Sequence, residues 1–228
     1  MLYTDWEPIY ASILADFGYG RLGDERARDR LAATLGDGPP LSPADLDLDG
    51  TVAVCGGGPS LSEELPLAED ADTVVAASIA ADTCLEAGID VDCMVTDLDK
   101  NPETARALSK DGTPVAAHAH GDNVSAIERW VPTFDTAAVL PTTQAAPAPP
   151  VRNPGGFTDG DRAAFLADEC GAERLVFPGW SFDDPSVGAE KARKLRWAER
   201  LLRYLEKRRD ERFAVLDGRR DGIEFPWT

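Results

Sequence analysis

Apolar residues at the start of the chain recur with helical spacing. Trp6, Ile9, Tyr10, Ile13, Leu14 and Phe17 fall at i, i+3 and i+4 intervals, which predicts an amphipathic helix. A second, charged helix is predicted over 24–35, and Gly36-Asp37-Gly38-Pro39-Pro40 breaks the pattern. Beyond it the chain alternates short apolar runs with helical stretches. Strands are predicted at 51–55, 72–77, 93–96, 114–118, 137–140 and 174–179, the first followed by an apolar-acidic helix or loop. Helices are predicted at 79–87, 102–111, 123–130, from 161 through 169, and at 188–209, where Leu195, Ala198, Leu201, Leu202 and Leu205 share a face. Residues 141–153, rich in Pro, Ala and Thr, are expected to form a long loop, a candidate lid. A hairpin-like tail is expected over 213–225, with Asp217-Gly218 as its turn signal. Strands alternating with helices predict an α/β fold, a mainly parallel sheet with helices on both faces. Residues 1–45 read as a small helical N-terminal cap and 46–228 as the α/β domain.

Composition narrows the function. The 228 residues carry 23 basic and 41 acidic side chains, a net charge of −18. A surface of that sign repels phosphate backbones, so nucleic acid is not an expected partner. No apolar stretch approaches the roughly 18 residues that a membrane span needs, and Asp5 and Glu7 interrupt any signal-like opening. A soluble, cytoplasmic protein is expected. The acidic residues are 26 Asp and 15 Glu, whereas only 5 of the basic ones are Lys and 18 are Arg. That bias suits a high-salt cytoplasm, where cations screen self-repulsion; an acidic protein from ordinary salt is the alternative. Cys55, Cys84, Cys93 and Cys170 have no CxxC spacing, and the two histidines, His118 and His120, share one segment. Neither a disulfide framework nor a zinc site is expected.

Ligands of such sheets bind beyond the carboxyl ends of the strands, and the polar motifs cluster there. Gly56-Gly57-Gly58-Pro59-Ser60 follows the first strand and reads either as a phosphate-approaching loop or as a tight turn. It lacks the Lys-Ser/Thr pair of a Walker loop, and Leu61 stands where a dinucleotide fingerprint needs glycine. Asp97-Leu98-Asp99 follows the third strand. In an extended segment its carboxylates share one side and can reach one Mg²⁺; a solvated acidic turn is the alternative. In His118-Ala119-His120-Gly121-Asp122-Asn123, Asp122 is a third candidate carboxylate or a helix cap, and His120 can touch a phosphate or the substrate. Thr158-Asp159-Gly160-Asp161-Arg162 opens a helix, with more glycine around it than capping requires. Lys191, Lys194 and Arg196 start the last helix as solvated cations or a phosphate contact. Together these ends suit a Mg²⁺–nucleotide site.

Taken in order, the motifs resemble the archaeal 6-hydroxymethyl-7,8-dihydropterin diphosphokinases of the MptE-like family, related in fold to the catalytic domain of thiamin diphosphokinases. The resemblance runs from Cys55-Gly56-Gly57-Gly58-Pro59-Ser60-Leu61 through Ala87-Gly88-Ile89 and Val95-Thr96-Asp97-Leu98-Asp99. It continues through 118–123, 156–163 and Lys194-Leu195-Arg196-Trp197-Ala198, covering 50–205. One departure is Ala77-Ser78-Ile79, where the family pattern has Ala-Asp-Gly; Asp82 lies one helical turn on. The resemblance implies an ATP-dependent diphosphotransferase, with ATP and 6-hydroxymethyl-7,8-dihydropterin as substrates, AMP as product, and a place in folate or methanopterin-type biosynthesis. It implies Mg²⁺ at Asp97, Asp99 and Asp122, with His120 steadying a phosphate or accepting the proton. It implies nucleotide and substrate contacts at Gly57, Gly58, Ser60, Asp122, Asn123, Thr158, Asp159, Asp161 and Arg162. A homo-oligomer is compatible with this reading. The rival readings are a metal-dependent nucleotide-sugar glycosyltransferase, a thiamin diphosphokinase, and a non-catalytic nucleotide-binding module.

Overall fold

The structure, a computed structural model, describes residues 1–227. In chain order its elements are α1 (Tyr3–Phe17), α2 (Arg21–Thr34), β1 (Thr51–Cys55), α3 (Leu61–Glu69), β2 (Thr73–Ala77), α4 (Ala80–Glu86) and β3 (Cys93–Thr96). Then follow α5 (Pro102–Lys110), β4 (Val115–Ala119), α6 (Val124–Trp130), β5 (Val139–Thr143), α7 (Asp159–Cys170), β6 (Arg174–Val176) and α8 (Ala189–Arg209). Every recorded strand pair is parallel, and helices alternate with strands, as the α/β pattern predicts. No helix among the described residues is long and apolar enough to cross a membrane. The chain forms two compact units, each assembled from two segments: 1–47 with 92–155, and 48–91 with 156 onward.

In the first unit, β4 pairs with β3 on one side (Val95↔Ala116) and with β5 on the other (Ala116↔Leu140). All five residues of β4 and of β5 are buried, as parallel strands covered on both faces are. Helix α1 buries Trp6, Ile9, Tyr10, Ile13 and Leu14, and ends where Gly18 turns left-handed (φ 70°) and donates its N–H to Leu14 O. Each fully buried side chain of that stripe contributes about 1.5–3 kcal/mol. Helix α2 packs on β4, β5 and α6, so the N-terminal helices belong to the same unit as those strands. The proline-rich stretch at 141–153 is not a loose loop. Its first three residues finish β5, and Arg152 folds back on that strand, donating to Pro141 O while its carbonyl accepts from Thr143 N–H. Asn153 Nδ2 then donates to Gln144 O and Ala145 O, which fixes the return.

In the second unit, β1 lies between β2 (Val54↔Val75) and β6 (Val52↔Leu175). Helix α7 packs on β1 and β2, burying Ala163, Phe165, Leu166 and Ala167. The expected tail hairpin is absent; residues 214–216 and 220–222 form short 3-10 turns instead. The reason is electrostatic. Arg220 reaches Glu206 of α8, 2% exposed, and also donates to Phe213 O and Leu216 O, so the tail bonds to the helix and to itself.

Candidate functional site

Strand β3 delivers Asp97 and Asp99 at its carboxyl end. The segment is not extended, as the sequence pattern suggested: Leu98 is left-handed (φ 67°) with its side chain buried. That conformation costs about 1–2 kcal/mol for a non-glycine residue. It is held by the Leu98 N–H donating to Thr96 Oγ1 (2.9 Å) and by Leu98's burial. The turn still brings the carboxylates together, one oxygen of each within 4.8 Å of the other. Loss of solvent, and then the hydrogen bond and negative charge of Asp97, push the Asp99 carboxyl up to about 6, against the pull of Lys100 and His120. Two carboxylates that impede each other's ionisation are a fitting pair of oxygen donors for a hard divalent cation.

The turn after β4 supports this pair. His120 Nε2 stands 3.3 Å from Asp97 Oδ2, while the Asp122 N–H approaches His120 Nδ1 at 3.4 Å. With Nδ1 accepting, the imidazole proton sits on Nε2 and faces Asp97. Asn123 is buried; its Nδ2 donates to Asp97 O (2.8 Å) and His118 O (2.6 Å), and its Oδ1 accepts from the His120 N–H. Its side chain therefore ties the ends of β3 and β4 together. Asp122 is exposed, and its carboxylate does not join those of Asp97 and Asp99 within the same distance.

In the other unit, the glycine run after β1 faces the turn after β6. Gly56 N–H donates to Pro178 O and Gly58 N–H to Gly179 O (2.8 Å). A Cβ on Gly58 would stand 2.5 Å from Gly179 O, and one on Gly179 (φ 76°) only 2.1 Å from Gly56 O. Two backbones meet where side chains cannot fit. Exposed Gly57 is the glycine of this run whose amide is not used in that contact, and Ile79 covers it from the corner after β2. Ser60 Oγ donates to Glu64, whose other partner is the Gly179 N–H. Ser78, at the corner after β2, is buried and left-handed (φ 50°).

The start of α7 is built on a capping box. Buried Asp161 accepts from the Phe157 and Thr158 N–H groups, just before the helix, and from Thr158 Oγ1. Arg162 Nη1 donates to Asp159 Oδ1 at 2.9 Å. Gly156 (φ 94°) is needed because a Cβ there would lie 2.5 Å from Arg162 Cα. Lys194 pairs with Glu190 on α8, and Lys191 is exposed.

Three residues outside the sequence reading also shape these elements. Trp180 donates Nε1–H to Val54 O, and its ring fills the space over Gly56 and Gly160 that side chains would take. Its position just past a strand end was a usable signal. Glu64 and Asp24 carried none, being ordinary acids on helices of an acidic chain.

A family model described as 6-hydroxymethylpterin diphosphokinase MptE-like matches residues 40–186. A Methanothermobacter thermautotrophicus protein named 6-hydroxymethyl-7,8-dihydropterin pyrophosphokinase is 36% identical over 225 residues, 91% of this chain and 96% of that one. Proteins of the same name from Pyrococcus furiosus and Methanocaldococcus jannaschii are 35% and 29% identical, covering 90% and 89% of this chain and 95% of each relative. The chain belongs to the 6-hydroxymethylpterin diphosphokinase MptE-like family.

Proposed function

We propose that the protein is a 6-hydroxymethyl-7,8-dihydropterin diphosphokinase using ATP as donor. The observation that carries the reading is the Asp97–Asp99 pair at the end of β3, held by His120 and Asn123, in a chain of this family. In the reaction the pterin hydroxymethyl oxygen bonds to the β-phosphorus of ATP. The bond from that phosphorus to the oxygen bridging it to the α-phosphorus breaks, AMP leaves with that oxygen, and the hydroxyl proton passes to an acceptor.

Asp97 and Asp99 would hold Mg²⁺, which when bound would neutralise phosphate charge as a Lewis acid. His120, whose Nδ1 is only loosely engaged, is the proposed acceptor of the hydroxyl proton. Gly57 and Ser60 are the proposed phosphate contacts, with Gly58 fixing the loop that presents them. Asp159 and Arg162 are the proposed contacts for the pterin or a second cation, on a helix start built by Thr158 and Asp161. Exposed Asp122 is assigned to water or phosphate near the cation, not to direct ligation.

The test is AMP release from ATP in molar KCl with Mg²⁺ and either the pterin, thiamin or no acceptor. The expected outcome is AMP only with the pterin, matched by diphosphorylated pterin, and its loss in folded Asp97→Asn. Folded native protein that forms no AMP with the pterin would overturn the proposal.

A further inference from the structure

The buried acid on α2, 73 residues before Asp97, bonds the turn after β4. Asp24 is 5% exposed, and both its oxygens are engaged. Oδ2 accepts from Tyr10 Oη (2.7 Å) and Gln144 Nε2 (2.8 Å), and Oδ1 accepts from the Gly121 N–H (2.7 Å). The amides of His120, Asp122 and Asn123 find acceptors inside their own turn. That of Gly121 is bonded from outside it. The backbones also touch there: a Cβ on Gly23 would stand 3.3 Å from Gly121 Cα. Helix α2 thus grips the turn at its glycine, between His120 and Asn123, the two residues that bond Asp97.

We propose that Asp24 is the positioning residue of the turn at 120–123, and through it of Asp97. The proposal rests on the reading of Asp97 as a group of the catalytic site. With the acceptor removed, the turn can pivot at a residue with no side chain to stop it. The His120 ring and the Asn123 amide then move relative to Asp97. A displacement of about 1 Å at reacting groups can cost on the order of 100-fold in rate.

The experiment measures kcat, KM and Tm of the full chain, together with amide exchange at Gly121 read without substrate. Asp24→Ala is expected to lower kcat about 10- to 100-fold with little change in pterin KM, and to speed Gly121 exchange. Asp24→Asn should restore most of kcat and slow exchange. Its carbonyl can still accept from Gly121 while its NH₂ donates to Tyr10 Oη and to a flipped Gln144 amide. Tyr10→Phe removes a bond on the far oxygen, so it should lower Tm and leave kcat alone. A purely structural Asp24 would give the two substitutions the same pattern. If Asp24→Ala does not fold, Gly23→Ala crowds the same turn with every hydrogen bond kept, and kcat should fall without loss of Tm. Unchanged kcat and unchanged Gly121 exchange in folded Asp24→Ala, or unchanged kcat in Gly23→Ala, would overturn the proposal. Native protein inactive with the pterin would defeat the functional reading instead, and Gly121 exchange would still decide whether Asp24 holds the turn.

Discussion

Gly58→Ala tests whether the glycine run after β1 exists to let two backbones meet. The new Cβ would lie 2.5 Å from Gly179 O and 3.2 Å from Gly179 C, against an ordinary contact of 3.4 Å or more. The obstacle is a carbonyl already hydrogen-bonded to the Gly58 N–H, so it cannot swing aside like a flexible side chain. The turns must part by about 0.9 Å, from 2.5 to 3.4 Å. Overpacking of that kind costs about 1–3 kcal/mol, and the lost bond about 1 kcal/mol. The lower entropy of an unfolded alanine offsets about 0.4–1 kcal/mol. The net is a loss of about 1–3.6 kcal/mol, or a fall in Tm of about 2–14 °C for a chain of this size. Thermal unfolding in molar KCl reads it, with Gly222→Ala as the reference, since nothing lies within 4 Å of that Cβ. Gly222→Ala should match or slightly exceed the native Tm. If Gly58→Ala unfolds with Gly222→Ala, the close approach of the two turns is refuted.

Further outcomes follow from the same geometry. Burial alone would raise the Glu206 carboxyl, but hydrogen bonds from Arg220, the Phe213 N–H and Arg203 outweigh it and hold it below its ordinary 4.5. A depressed carboxyl stabilises the fold above its unfolded value, and that contribution disappears as pH falls through the folded one. Glu206→Gln should therefore be less stable than the native chain at neutral pH, by about 3–5 kcal/mol if the buried arginine contacts are broken. The two should converge in acid unfolding below pH 4.5. Asp99 has the opposite sign: its carboxyl is raised to about 6, so protons compete for the proposed cation site below that pH. Mg²⁺ titrations should show affinity falling as pH drops through about 6, and a pH-independent affinity would contradict Asp99 as a ligand. Asp161→Ala removes the capping box of α7 and should cost about 1–2 kcal/mol in urea unfolding, plus whatever the stranded Phe157 N–H adds.

The strands were legible because most are short apolar runs, and their ends shifted by no more than three residues. Asp97 and Asp99 were legible as the polar end of such a run, though not for the geometry that joins them. Alternation predicts shared sides only in extended backbone, and Leu98 is left-handed. The glycine run was visible as unusual, but its cause was not, since Gly179 lies 121 residues beyond Gly58 and nothing local marks the meeting. Asp24 was hidden by composition, because one buried carboxylate cannot be picked out among 26 aspartates. The tail hairpin failed because a turn signal at Asp217-Gly218 says nothing about the buried glutamate that captures Arg220. The proline-rich loop failed because its bonds run to a residue that returns from eleven positions away, Arg152 to Pro141.

The division of the chain has a consequence for its synthesis. The first unit needs residues 1–47 and 92–155, so helix α2 leaves the ribosome long before β4 and β5, on which it packs. At roughly 5–20 residues per second, the gap between residues 47 and 155 lasts about 5–20 s. During that interval Ala27 and Leu31 of α2, both buried in the finished protein, have no partner strand to cover them. The nascent N-terminus should therefore be the most chaperone-dependent and aggregation-prone stage of biogenesis, and crosslinking of stalled chains ended before and after β5 would reveal when that exposure ends.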